Sequence, residues 1–128
     1  MRRFQGLLMV VVVISACSSG ASDAAPAKVP GEQVTQGLCR AVAAGPGEPD
    51  QAEESFARVH TDLHVVARAL QQVDRKAAGR LLKAKQRVED DFRRLASASE
   101  LAPDLRDLLT ATRDGLARLD VTVAPCDR

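Results

Sequence analysis

Aromatic side chains are nearly absent from this chain. It has no tryptophan, no tyrosine and three phenylalanines among 128 residues. Sites that stack nucleic-acid bases need aromatic rings, and a platform for sugar rings needs them too. The charge adds nothing in favour of nucleic acid, because 18 basic and 17 acidic side chains leave almost no positive excess for a phosphate backbone. The sequence therefore argues against nucleic-acid and sugar ligands.

Motifs that carry catalysis are missing as well. There is no glycine-rich phosphate loop, and no serine or free cysteine stands beside a base in a known pattern. Asp90 and Asp91 are adjacent, so on a helix they point in different directions and do not form a catalytic pair. The sequence predicts a protein that is not an enzyme.

Long apolar runs are also lacking. The longest, residues 7–14, has eight apolar side chains after Arg2 and Arg3, whereas a membrane-spanning helix needs about 20. A short apolar run behind positive charge is typical of a signal peptide. The segment Ile14-Ser15-Ala16-Cys17 then resembles the lipobox of bacterial lipoproteins at all four positions.

The lipobox resemblance implies where the protein is located. In that family the cysteine receives diacylglycerol and the chain is cleaved just before it, so residues 1–16 are the expected signal peptide and Cys17 the lipidated N-terminus. The mature protein would then be anchored to the outer face of the cell membrane. Two alternatives stay open: an ordinary secretory signal with Cys17 incidental, and a twin-arginine signal, whose usual continuation is absent from Phe4-Gln5-Gly6.

Cysteine is scarce, with three in the chain. If Cys17 carries lipid, Cys39 and Cys126 remain, and an exported domain of this size gains from a disulfide. We therefore predict a Cys39–Cys126 bridge. The alternative is a redox-active pair, but the C-x-x-C spacing typical of such pairs is missing.

The mature chain divides into a tether and one domain. Residues 17–31 are mostly small, with Pro26 and Pro30, and they are predicted to form a flexible tether because they offer too little apolar surface to fold. Residues 32–128 are predicted to form the folded domain. Removal of the signal takes away Arg2 and Arg3, so the tether and the domain together have 16 basic and 17 acidic side chains.

Apolar side chains recur at helical spacing through this domain. We predict helices over residues 32–44, 49–72, 75–96 and 103–119, with Pro49 in the first turn of the second and Asp74 as the N-cap of the third. A continuous second and third helix is the alternative. The apolar positions of the three longer helices are Phe56, Val59, Leu63, Val66, Leu70 and Val73; Leu81, Ala84, Val88, Phe92 and Leu95; and Leu105, Leu108, Leu109, Leu116 and Leu119.

These elements predict an all-α fold. A short first helix, three longer helices and short loops favour an antiparallel four-helix bundle with one disulfide. The stretches FARVHTDLHVVARAL and RLLKAKQRVEDDF resemble parts of uncharacterised small helical actinobacterial envelope proteins. That resemblance implies no particular function.

The two histidines form the candidate metal site. His60 and His64 lie four residues apart on the second predicted helix, so both rings face one side, at the edge of the core. This spacing suits Zn or Cu, although the H-E-x-x-H pattern is absent. Glu32 or Asp114 is the expected third ligand. The alternative is a pair of surface histidines bonded to carboxylates or water.

A basic face is the other candidate site. Lys76, Arg80, Lys83 and Arg87 follow one another at spacings of four, three and four, and therefore share one side of the third helix. We call these four residues the basic face. They suit anionic lipid headgroups or an acidic partner, or they are an ordinary solvated face balanced by neighbouring carboxylates.

The sequence thus predicts an exported, lipid-anchored protein of the cell envelope. Its expected role is to bind a protein or another envelope component without catalysis, and no cofactor is required. The alternative is a lipoprotein that binds or delivers a metal through His60 and His64.

Overall fold

Four α-helices make up the structure, a computed structural model that describes residues 28–127. Helix α1 spans Gly31–Ala44, α2 spans Pro49–Val73, α3 spans Arg75–Arg93 and α4 spans Ala98–Arg118. No strand occurs between residues 28 and 127. The predicted all-α class, the bundle and its disulfide are confirmed. The predicted signal peptide, Cys17 and most of the predicted tether lie outside the described residues.

The helices run alternately up and down, and each packs against the next along the chain, with α4 returning to α1. One end of the bundle holds the start of α1, the α2–α3 junction and the end of α4; Gly31 lies against Leu116, and Arg118 reaches Asp74 at 2.9 Å. We call this the Gly31 end. The opposite Gly45 end holds the α1–α2 loop, the end of α3 and the start of α4, where Gly45 lies against Leu105.

Leucine and valine fill the space between the helices. Each helix contributes apolar side chains at spacings of three and four residues, the pattern of a core-facing stripe. The largest fully buried apolar side chains are Leu38, Leu63, Leu70, Leu81, Leu101, Leu105, Leu108, Leu116, Val34, Val66 and Val88. Most of the predicted apolar positions are therefore core positions.

Asp74 separates α2 from α3. Its backbone is extended, with φ −150° and ψ 94°, and its Oδ1 accepts a hydrogen bond from Ala77 N at 3.0 Å. The hydrogen bond satisfies one of the free N–H groups that open a helix. The predicted N-cap is correct, and the continuous alternative is wrong. Helix α2 also begins at Pro49 as predicted.

The predicted start of α4 is wrong by five residues, since the helix begins at Ala98 and contains Pro103. The reason lies at Ser97, whose backbone N–H donates to Glu100 Oε2 at 3.0 Å. This is one half of a capping box, a strong helix-start signal. Pro103 is the sixth residue of α4, beyond the first turn, so its missing N–H removes one internal hydrogen bond, which the helix tolerates.

Two predicted core positions are exposed. Val73, the last residue of α2, is 63% exposed because the chain turns away at Asp74. Leu95 is 87% exposed because α3 ends at Arg93, before the predicted residue 96. Phe92 and Leu119 are half-buried at the margin of the core.

A helix that crosses a membrane must be both long and apolar. None of the helices within residues 28–127 meets both requirements.

Candidate functional site

A polar cluster lies between α2 and α3. Lys85 is 5% exposed, and its Nζ donates to Glu89 Oε1 one turn along α3. His60 Nε2, from α2, lies 2.6 Å from the same oxygen. Burial by itself raises the pKa of the Glu89 carboxyl, but the hydrogen bonds from Lys85 and His60 outweigh it, and the pKa is lowered. Glu89 is therefore a carboxylate shared by two donors.

Four rings lie beside this cluster, with His64 on its Gly31 side and Phe56 and Phe92 on its Gly45 side. The His60 and His64 rings meet edge to face, with centroids 5.1 Å apart, and Phe56 meets His60 in the same way at 5.9 Å. Phe92 of α3 lies 5.6 Å from Phe56. Partial desolvation, the Lys85 ammonium and His60 together lower the pKa of His64.

A groove of about 430 Å³ runs beside these rings. Its floor is apolar, with Phe56, Ala57 and Phe92, and its rim is polar. We call it the α2–α3 groove; its lining is Glu53, Phe56, Ala57, His60, Thr61, Glu89, Phe92 and Arg93. An apolar floor with a few polar groups at the rim is the usual composition of a binding site.

The predicted metal ligands are adjacent, but the expected third ligand is missing. Glu32 accepts from the backbone N–H of Ala124 at 3.1 Å instead, and Asp114 borders a separate groove on the α3–α4 side. Within residues 28–127, no three His, Cys, Asp or Glu side chains are grouped so as to hold a metal ion. Glu89, which contacts His60, was not anticipated.

The basic face is exposed, and one of its members is partly neutralised. Arg87 lies 3.6 Å from Asp104 Oδ1 and 3.8 Å from Asp107 Oδ2, both on α4. Among the described residues, no carboxylate oxygen lies within 4.0 Å of the cationic groups of Lys76, Arg80 or Lys83. These three side chains are available to an external anion.

The predicted disulfide joins Cys39 of α1 to Cys126 of the C-terminal tail, with the Cα atoms 5.5 Å apart. Arg113 Nη2 lies 3.4 Å from Cys126 Sγ and 3.8 Å from Cys39 Sγ. The guanidinium covers one side of the bridge. The bond fastens the tail to the first helix, as predicted from the two cysteines that remain once Cys17 is assigned to lipid.

Leu95 is the most unusual residue at the Gly45 end. Its φ is 54°, in the left-handed region that suits glycine. It occupies the position after the α3 C-cap, where Leu95 N donates to Phe92 O at 3.2 Å and Ala96 N donates to Asp91 O at 2.9 Å. Helices that end in this pattern usually have glycine there. A fully apolar side chain is thus displayed to solvent from an unfavourable backbone conformation.

A larger groove of about 620 Å³ lies between α4 and the C-terminal tail. Its charged lining consists of Arg113, which faces the disulfide, and Asp120. The α2–α3 groove is smaller, but its lining combines Phe56, His60 and Phe92 with Glu89, the carboxylate of the buried Lys85. The exposed Leu95 follows two residues after the lining residue Arg93. The α2–α3 groove is the better candidate for a functional site.

Comparison of the chain with protein-family models, with curated proteins and with solved structures returned no match.

Proposed function

We propose that this chain is an exported, lipid-anchored binding module of the cell envelope that holds a partner protein at its Gly45 end and carries out no catalysis. The proposed location rests on the apolar run and on the lipobox resemblance at Ile14-Ser15-Ala16-Cys17. The Cys39–Cys126 disulfide is compatible with an oxidising compartment outside the membrane.

The exposure and backbone conformation of Leu95 are the main support for the proposed binding role. A leucine in left-handed backbone is disfavoured by about 1 kcal/mol or more relative to glycine, and at 87% exposure it buries almost nothing in return. Folding gains nothing from leucine at this position. A contact with another molecule would account for both its exposure and its strained conformation.

The chemistry of the surroundings defines the partner. The half-buried Phe92 and the exposed Ala57 supply the accessible apolar lining of the α2–α3 groove, because Phe56 is only 5% exposed. Of the charged residues that line the groove, Glu89 is engaged by Lys85 and His60, and Arg93 pairs with Asp90 at 2.8 Å. Glu53 is the lining carboxylate that has no ion pair among the described residues. The surface therefore suits an exported protein segment in which an apolar side chain stands next to lysine or arginine.

The test separates binding from stability at Leu95. Photo-crosslinking of the anchored protein in its native membrane is compared for wild type, Leu95→Gly and Glu53→Lys. Val73→Ser, which changes an exposed apolar residue at the opposite end, is the control for Leu95. Glu54→Lys, next to Glu53 but outside the groove lining, is the control for charge.

We expect Leu95→Gly to raise the free energy of unfolding by about 1 kcal/mol while the specific crosslink is lost. Glu53→Lys should weaken the same crosslink, and both control variants should keep it. A crosslinked partner that survives both Leu95→Gly and Glu53→Lys would contradict the proposal, as would the absence of any specific crosslink in wild type.

Metal binding by His60 and His64 is the second candidate, favoured by the adjacency of the two rings. Two imidazoles supply half of a tetrahedral Zn site, and Glu89 is already engaged by Lys85 and His60. Calorimetric titration with Zn and Cu(II) is compared for wild type and the His60→Ala, His64→Ala variant. Tight one-to-one binding that the variant loses would make metal handling the leading function; equal or no binding would favour the partner role.

A further inference from the structure

The two ends of the bundle carry opposite charge. All six charged side chains between residues 75 and 87, in the first part of α3, are basic. The last two turns of α3 carry Glu89, Asp90 and Asp91 beside Arg93, and the first turns of α2 carry Asp50, Glu53 and Glu54. Since α2 and α3 are antiparallel, the acidic residues gather at the Gly45 end. The start of α3 makes the Gly31 end basic.

Several cations at the Gly31 end are not used inside the protein. Asp74 there is occupied, because it accepts from Ala77 N and pairs with Arg118 at 2.9 Å. Arg75, Lys76 and Arg80 are exposed, and among residues 28–127 no carboxylate oxygen lies within 4.0 Å of their charged groups. Lys83 follows one turn further along, opposite Asp114. Val73, 63% exposed, adjoins this group.

The chain enters the bundle at this same end. Helix α1 starts at Gly31, so every residue before it joins the fold here. If Cys17 is the anchored residue, about 11 residues separate it from Lys28, and a stretch of that length spans at most about 40 Å. Salt screens exposed charges beyond about 8 to 10 Å, and a connection of this length allows the cations at the Gly31 end to approach the headgroups within that distance.

We infer that the Gly31 end docks on anionic lipid headgroups beside the anchor, through Lys76 and Arg80 with Arg75 and Lys83. This inference rests on the lipid anchor of the proposed function. Exposed basic residues near an anionic membrane surface are attracted to it, whereas the acidic Gly45 end is repelled. The domain is therefore oriented with its Gly31 end towards the membrane, and Leu95 and the α2–α3 groove face away from the membrane.

The experiment uses the full lipidated protein in phosphatidylcholine vesicles with and without phosphatidylglycerol. Flotation of the vesicles reports anchoring, and hydrogen–deuterium exchange reports docking. We expect amide exchange over residues 70–83 to slow several-fold when phosphatidylglycerol is present, and exchange over residues 98–107 to stay unchanged. High salt should remove the protection, because it screens the attraction.

The variant Lys76→Gln, Arg80→Gln should float normally but lose the protection. The matched variant Arg58→Gln, Arg106→Gln removes the same charge from exposed positions in the first halves of α2 and α4 and should keep it. Normal flotation with equal exchange in both vesicle types would overturn the docking inference and leave the anchor intact. Equal loss in both variants would also overturn it. Failure to float with neutral vesicles would overturn the anchor itself.

Discussion

Asp91 of α3 and Asp104 of α4 are neighbouring carboxyl groups, and a negative charge on one opposes a negative charge on the other. Asp91 is 3% exposed; its Oδ1 accepts from Arg94 at 2.7 Å, while its Oδ2 is buried without a donor. The Asp104 carboxyl of α4 is its neighbour, and protonation of Asp104 would give that oxygen a donor. Burial, the hydrogen bond to Asp91 and the Asp91 charge together raise the pKa of Asp104 above its ordinary 3.8.

This pair predicts a pH-dependent effect of Asp104→Asn. Because the pKa is higher in the folded than in the unfolded protein, ionisation of Asp104 opposes folding, and its penalty grows as the pH rises above 3.8. The asparagine amide donates to Asp91 at any pH. We expect the variant to be more stable than wild type by about 1 kcal/mol at pH 7, with a smaller gain at pH 4, in urea unfolding.

Asp107→Asn is the matched control, since Asp107 also pairs with Arg87 but is more exposed. It should show no gain at pH 7. A gain from Asp104→Asn that is as large at pH 4 as at pH 7 would contradict the shared proton. Glu89 acts in the opposite direction, because its pKa is lowered on folding and its contribution is lost as the pH falls below 4.5.

For single residues, sequence alone identified the histidines but not their partner. The four-residue spacing of His60 and His64 was enough to place their rings together. Glu89 is 29 positions from His60, and the contact depends on how far α3 is displaced along α2. Lys85 was missed because a lysine between basic residues looks solvated; its four-residue spacing to Glu89 was the signal available.

Between helices, Gly37 sets the distance from α1 to α2. A Cβ on this residue would overlap Val59 Cγ1 of α2. Val59 is 4% exposed and its β-branched side chain has little rotamer freedom. Gly79, on the third helix, has open space within 4 Å of the position that a Cβ would occupy. Both glycines have helical backbone conformation, but only Gly37 is tightly packed against a neighbouring helix.

We predict opposite effects for alanine at these two positions. Gly37→Ala should lower the free energy of unfolding by about 1 to 3 kcal/mol, because the core is overpacked. Gly79→Ala should raise it by about 0.5 to 1 kcal/mol, because alanine loses less entropy in a helix. Chemical denaturation of both variants measures the difference. Changes of the same sign would show that the close approach of α1 and α2 is not limiting.

Helix identity was predictable, whereas helix ends were less so. The apolar spacing predicted four helices and most core positions, because core burial follows the helical repeat. The start of α4 was missed because Pro103 was weighted above the Ser97 and Glu100 pair. Leu95 was assigned to the core because periodicity does not report where the backbone turns left-handed.

At the scale of the whole molecule, the disulfide is a covalent link between the beginning and the end of the folded domain. It joins residues 87 positions apart and holds the C-terminal tail against α1. In the chain-entropy account, a loop of this length stabilises a domain by roughly 4 to 5 kcal/mol. We expect Cys39→Ala, Cys126→Ala to lose about this much in urea unfolding, and reductant to destabilise wild type but not the variant. Equal stability of wild type and variant would mean that helix packing alone holds the bundle.

The two ends of the bundle differ in charge and in the surfaces that they display, and the proposed roles differ accordingly. The basic Gly31 end is where the chain enters, and the Gly45 end displays Leu95 and the α2–α3 groove. Sequence patterns identified the charges but did not assign them to ends, because that requires the direction of each helix. The proposed division of labour, with membrane at one end and partner at the other, depends on the anchor at Cys17.

Intact-mass spectrometry of the protein extracted from membranes tests that anchor most directly. We predict a chain that begins at Cys17, carries diacylglycerol on that residue, and gains two hydrogens on reduction of the Cys39–Cys126 bond. Cys17→Ala should yield an unlipidated precursor that retains residues 1–16. An unmodified mature chain with another N-terminus, or lipid that persists in Cys17→Ala, would contradict the lipid anchor.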